Sequence, residues 1–126
     1  MRVLILESQV DRAQLIKSLI EPYHYKVNIC DNTEEIDIQL KDPTLGLVVI
    51  GPTMKSIKGL ELLNAIKSQP RMEKIPIIYI SNNQSIEARR QLNQYKNTEF
   101  ILEPFKIKNF KHLIEKWLNF RSLYLN

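Results

Sequence analysis

The sequence predicts an α/β fold, a doubly wound parallel sheet of five strands with helices on both faces. Two observations carry that expectation. Five short segments rich in Ile, Val and Leu alternate, along 126 residues, with segments whose apolar residues recur at helical spacing. Three of the short segments, Arg2–Leu6, Leu45–Ile50 and 76–81, are apolar almost without interruption, as strands buried on both faces must be. Strands of this kind joined by helices form right-handed crossovers, which distribute the helices over the two faces of the sheet.

The elements follow in order. Arg2–Leu6 (RVLIL) is the first strand. Residues 11–20 place Leu15, Ile16, Leu19 and Ile20 on the inward stripe of a helix that Pro22 stops. In 25–30, Tyr25, Val27 and Ile29 alternate inward as a second strand. Asn32 or Thr33 can cap a short helix through Leu40, with Glu34 and Glu35 suiting the positive end of its dipole, and Pro43 ends it. Leu45–Ile50 (LGLVVI) is the third strand. Gly59–Lys67 is helical, with Leu60, Leu63, Ala65 and Ile66 on or near one stripe and Pro70 beyond. Residues 76–81 (PIIYIS) form the fourth strand, and Ser85 opens a helix to about Tyr95. A short fifth strand at 99–102 precedes the last helix, 107–120, whose apolar face is Ile107, Phe110, Leu113, Ile114 and Trp117.

Length and composition bound the function. A chain of this size fits one domain, here 1–126, with 119–126 (NFRSLYLN) extending the last helix, folding back, marking a dimer contact or starting a linker. Its apolar runs are far shorter than a membrane span, and the N-terminus lacks the pattern of a signal peptide, so a cytoplasmic protein with no membrane contact is expected. The single Cys30 excludes an internal disulfide and a cysteine-based zinc site, and reads as a small buried hydrophobe at a strand end. Net charge is +4, but the basic residues are interspersed with acids except between Lys106 and Arg121. That run reads as a solvated helix face, and direct nucleic-acid binding is not expected. An enzyme that binds a flavin or nucleotide would need phosphate-cradling loops. The chain has only three glycines, and Glu7-Ser8-Gln9-Val10 after the first strand contains none.

In an open parallel sheet, chemistry gathers beyond the carboxyl ends of the strands. Those ends are Glu7 and Ser8 after the first strand, Gly51 after the third, Ser81 at the fourth and Glu103-Pro104-Phe105 after the fifth. Gly59-Leu60-Glu61-Leu62-Leu63 opens the third helix eight residues beyond Gly51. Over essentially the whole chain this frame resembles the receiver domain of response regulators, as in chemotaxis response regulators. The resemblance implies a flavodoxin-like three-layer (βα)5 sandwich with strand order 2-1-3-4-5. It also implies a place in two-component signalling. In that family the first strand ends in a pair of acids that bind magnesium, and the third in the phosphoacceptor aspartate. The fourth ends in Thr or Ser, and the fifth in Lys-Pro-Phe.

This sequence departs from that pattern where the chemistry lies. Phosphoryl transfer to a carboxylate needs the nucleophile, a divalent cation and a further cation on the product. Gly51 supplies no side chain, Ser8 replaces the second acid, and Glu103 stands in place of the lysine. Of the magnesium ligands only Glu7 remains. The expectation is a degenerate phosphorylation pocket of Glu7, Ser8, Gly51, Ser81 and Glu103: a pseudo-receiver without metal, cofactor or enzymatic activity. Glu7 and Glu103 are expected to leave the pocket acidic and repel phosphate, with Glu103 paired to a lysine such as Lys55 or Lys106. Ser81 either keeps a switch hydroxyl or simply ends its strand. Phe100 holds the switch-aromatic position and is expected to be a fixed aromatic. The resemblance implies a cis peptide before Pro104. Thr53 and Ser56 are hydroxyls open to a Ser/Thr kinase, with nothing local to favour it, and His24 and His112 read as surface residues.

What remains is recognition. The resemblance points to the face made by the fourth helix, fifth strand and last helix, here Arg89, Arg90, Gln94, Phe100, Lys108, Lys111, His112 and Glu115. Its basic and aromatic character suits a protein partner with an acidic surface, or a homodimer. The alternative is the receiver-like regulatory or dimerisation half of a DNA-binding transcription regulator.

Overall fold

The computed structural model describes residues 1–55, 57–81, 90 and 94–125. Each apolar run finds parallel partners. Strands β1 (Arg2–Leu6), β2 (Lys26–Cys30), β3 (Leu45–Ile50), β4 (Ile77–Ser81) and β5 (Thr98–Leu102) form one sheet in the order β2-β1-β3-β4-β5. Every residue of β3 is buried, whereas edge strand β5 is half-buried throughout. That gradient explains why the central runs are continuously apolar and the edges are not.

The described helices are α1 (Val10–Ile20), α2 (Thr33–Leu40), α3 (Gly59–Lys67) and the C-terminal helix (Ile107–Leu125). Strand periodicity sorts the core into two halves. Leu4, Leu6, Val48 and Ile50 meet Ile36 and Leu40 of α2 and Leu62, Leu63 and Ile66 of α3. Val3, Ile5, Leu47 and Val49 meet Ile16, Leu19 and Ile20 of α1 and Phe110, Ile114 and Leu118 of the C-terminal helix. The result is the three-layer sandwich expected from sequence. Cys30 is buried in the first half-core, where burial pushes its thiol above the ordinary range.

Register brings the strand ends together. Leu6 is level with Cys30 on one side and Ile50 on the other, and Ser81 is level with Leu102. Two backbone bonds carry the pairing past the strands: Gly51 N–H donates to Leu6 O and Glu103 N–H to Ser81 O, both at 2.8 Å. Glu7, Gly51, Ser81 and Glu103 therefore share one edge. The chain leaves β1 toward β2 and returns on the other side as β3, so Glu7 and Gly51 flank the topological switch point.

Several local expectations change. Leu15 is 53% exposed and Ile16 2%, because the buried stripe of α1 runs through Ala13, Ile16, Leu19 and Ile20 and leaves Leu15 a step of helix rotation away. In α3 the stripe is Leu62, Leu63 and Ile66, with Ala65 exposed and Leu60 half-buried. Ile107 is exposed because the C-terminal helix begins beyond the sheet edge and first reaches the core at Phe110. Asn32 rather than Thr33 caps α2, its side chain accepting the Glu35 N–H at 2.8 Å. The helix expected from Ser85 to about Tyr95 lies mostly outside the described residues, as do Ser56 and Arg89 and the side chains of Phe120, Leu123, Tyr124 and Leu125.

The reassigned α1 face has a direct check. In urea denaturation Ile16→Ala is expected to cost about 2–5 kcal/mol, while Leu15→Ala stays within about 0.5 kcal/mol of the parent.

Candidate functional site

Glu7 is 1% exposed, the more deeply buried of the two polar side chains in the described core. A carboxylate so placed must be supplied with donors. Its Oε1 accepts Thr53 N–H at 2.9 Å, and its Oε2 accepts Gln9 N–H at 2.6 Å and the Thr53 hydroxyl at 2.5 Å. The neighbouring residue extends the clamp. Ser8 N–H donates to Thr53 O at 3.2 Å, and Ser8 Oγ accepts Lys55 N–H at 2.9 Å. The loop after β3 is thus laced to the tip of β1.

Gly51 is part of the same arrangement. A Cβ built there would lie well inside contact distance of Glu7 Oε1 and 3.0 Å from both Glu7 Cβ and Cδ. The Glu7 side chain fills the space that any side chain at position 51 would need. The backbone of Gly51 is not left-handed, so its requirement for glycine is steric, not conformational.

Glu103 has a partner that sequence reading did not foresee. Arg12, one turn into α1, directs Nη1 to Glu103 Oε1, while its Nε donates to Gln9 Oε1 at 3.1 Å. The expected lysines do not take this role: Lys55 and Lys106 are exposed. Both carboxylates at this edge therefore have partners. One carboxylate is satisfied by neutral donors and the other by a guanidinium, in a continuous run from Glu7 through Gln9 and Arg12 to Glu103. A charge reversal at the fifth strand end was itself a signal to search the adjacent helix for a compensating cation.

The peptide between Glu103 and Pro104 is cis, as the resemblance implied, and Phe105 then stacks on Phe110 at 5.6 Å. Ser81 is buried, two residues along β4 from Tyr79. Burial pushes the Tyr79 phenol above its ordinary value, and the Ser81 side chain opposes that shift. Phe100 stacks on Tyr79 with centroids 6.1 Å apart and 16° between the planes.

A family model for the response regulator receiver domain matches residues 3–115. The chain belongs to that family. Among curated receiver relatives, two-component response regulator ORR5 of Oryza sativa subsp. japonica is 25% identical over 114 residues, 89% of this chain and 84% of that protein. Protein RcaC of Microchaete diplosiphon is 22% identical over 105 residues, 83% of this chain but 16% of that protein. The signal receiver domain of a signal transduction histidine kinase from Syntrophus aciditrophicus superposes with a TM-score of 0.80 at 21% identity, over 94% of this chain and 89% of that one. The chemotaxis protein CheY4 of Vibrio cholerae gives 0.78 at 16% identity, over 92% and 97%. At these identities the structures establish the receiver fold, and family membership makes the chain a signalling module of two-component type.

Magnesium, which receiver domains bind at this edge, can be tested against the donor set. Both Glu7 oxygens are engaged by the chain, Ser8 Oγ is occupied by an amide, and Glu103 is paired with Arg12. Among the described residues no group of three or more His, Cys, Asp or Glu could hold a metal ion. A hard cation needing several free oxygens does not fit these residues.

On the C-terminal helix the expected docking residues Lys108, Lys111, His112 and Glu115 are all exposed. Glu115 Oε1 accepts the hydroxyl of Tyr23, just beyond α1, at 2.7 Å. Lys116, one turn beyond His112, pairs with Glu99 of β5 and sits 5.1 Å over the Trp117 ring. Arg90 and Gln94 are exposed and Phe100 is half-buried, while Arg89 lies outside the described residues. His24 and His112 are exposed, as expected. Among the described residues no helix is long and apolar enough to cross a membrane.

Two measurements test this geometry. Gly51→Ala should cost about 1–3 kcal/mol by crowding Glu7, and a double-mutant cycle with Glu7→Ala should recover most of that penalty; additive effects would mean the two do not share a space. At Tyr23, burial first, then the hydrogen bond and charge of Glu115, push the phenol from 10.0 up to about 12. The folded state holds this proton more tightly, so the contribution is full below pH 10 and is lost as pH rises toward 12. The urea midpoint should fall across that window, and less steeply in Tyr23→Phe.

Proposed function

We propose that this receiver domain, a single unit over residues 1–126, takes no phosphoryl group at the end of β3 and acts as a protein-docking module. In this reading it works in the cytoplasm within a two-component or related pathway, without metal, cofactor or catalysis of its own. One observation carries the reading: the Glu7 carboxylate lies where a side chain at position 51 would lie, held there by Thr53 and Gln9. The missing nucleophile is thus accompanied by a neighbour that has moved into its place. Glu103 in place of lysine, paired with Arg12, supports the same conclusion, because the end of β5 then offers a carboxylate where a phosphoryl product needs a cation.

The docking face proposed is the β5 edge and the adjoining stripe of the C-terminal helix. There Phe100 and His112, the exposed Arg90 and Gln94, and the Glu99–Lys116 pair offer an aromatic centre with a charged rim. A protein partner or a second copy of the chain would bind there. Lys108, Lys111 and Glu115, exposed on the same helix, extend the proposed face.

The deciding experiment is incubation with a small phosphodonor and magnesium, followed by intact mass measurement. The mass of the parent chain is expected to stay unchanged, and Gly51→Asp is expected to remain unmodified as well, since Glu7 and Glu103 persist. A stoichiometric phosphoryl adduct on the parent chain, removed by mild base, would overturn the proposal.

A further inference from the structure

We infer that Tyr79 is a positioning residue that ties the start of α3 to the β5 edge and holds the docking face in one arrangement. The functional meaning rests on the reading above, in which no phosphoryl group arrives to reset that face. The geometry stands independently of it.

Tyr79 lies in the middle of β4, 8% exposed, on the half-core shared with α2 and α3. Its ring makes contacts in three directions. On one side it stacks on Phe100 of β5. At its far end it abuts the first residue of α3: a Cβ at Gly59 would sit 2.7 Å from Tyr79 Oη and 2.9 Å from Cε2. Along β4 it lies two residues from Ser81, whose side chain opposes the upward shift that burial gives the Tyr79 phenol. Gly59 is therefore required here by close approach, and any larger residue would displace the phenol.

The strut meets a different element at each end. Before α3, Thr53 and Lys55 are bonded to Glu7 and Ser8 at the tip of β1. The other end bears on Phe100, which the proposed face presents to a partner. A close-packed interior moves between discrete arrangements rather than yielding smoothly. With a phenol filling the space between α3 and β5, inward movement of Phe100 would require expelling Tyr79, and Tyr79 leaving would open a void the size of its ring. The space between Gly59 and Phe100 is thus filled by the Tyr79 ring.

The test uses the full chain without phosphodonor or metal, so its result is separable from the mass experiment. In Tyr79→Leu, hydrogen exchange of the β5 amides should accelerate on the order of tenfold relative to those of β2, with microsecond-to-millisecond broadening of the Phe100 ring signals that the parent lacks. Gly59→Ala should perturb the same Phe100 and Ser81 signals, because its methyl group meets the phenol. Acceleration equal in β2 and β5, as global destabilisation alone would give, overturns the inference. So does a parent protein whose Phe100 already exchanges between two positions. Where Tyr79→Leu fails to fold, Gly59→Ala decides alone: unchanged Phe100 and Ser81 signals would remove the strut.

Discussion

A carboxylate buried at the end of a strand has to be answered by donors, and at Glu7 the answer organises the whole C-terminal edge of the sheet. Thr53 supplies two of the three hydrogen bonds, one from its amide and one from its hydroxyl. To do so, the loop after β3 must fold down over β1. That brings Lys55 to Ser8 Oγ, fixes the approach to α3, and requires that position 51 carry no side chain. Each feature is a small contact alone. Together they follow from the cost of leaving one buried charge unpaired, which exceeds the worth of any single bond in the set.

The electrostatics of the edge follow the same logic. Substituting an acid for a base at the end of β5 would leave two carboxylates near one another with no counter-charge. Arg12 removes that difficulty from a different element, and its planar fork also engages Gln9, whose own amide serves Glu7. Among the described residues, hydrogen bonds and an ion pair run from Glu7 through Gln9 and Arg12 to Glu103. This half-exposed pair adds modest stability and mainly sets geometry.

Much of the fold was legible because burial on two faces leaves a strong mark in the central strands. The order of the elements and the parallel sheet followed from those apolar runs and the helical spacing between them. Helix faces were read less well, as Leu15 and Ala65 show: where apolar residues are crowded, the stripe that meets the sheet is chosen by packing and not by propensity. At the site, the positions Glu7, Ser8, Gly51, Ser81 and Glu103 were identifiable from spacing, and register does collect them at one edge. Their partners were not. Arg12 lies 91 residues from Glu103 along the chain, and Thr53 lies 46 from Glu7, so no local pattern links them. Tyr79 read as an ordinary strand residue because its role depends on the absence of a Cβ at Gly59, on another layer.

The contact between Glu7 and Gly51 couples the two positions. Adding an aspartate at 51 while Glu7 is in place meets a filled space. Removing Glu7 first strands the amide and hydroxyl of Thr53 without an acceptor. A side chain at 51 is therefore accommodated only together with a rearranged Glu7 carboxylate, so substitutions at the two positions act as one change and not as two independent ones.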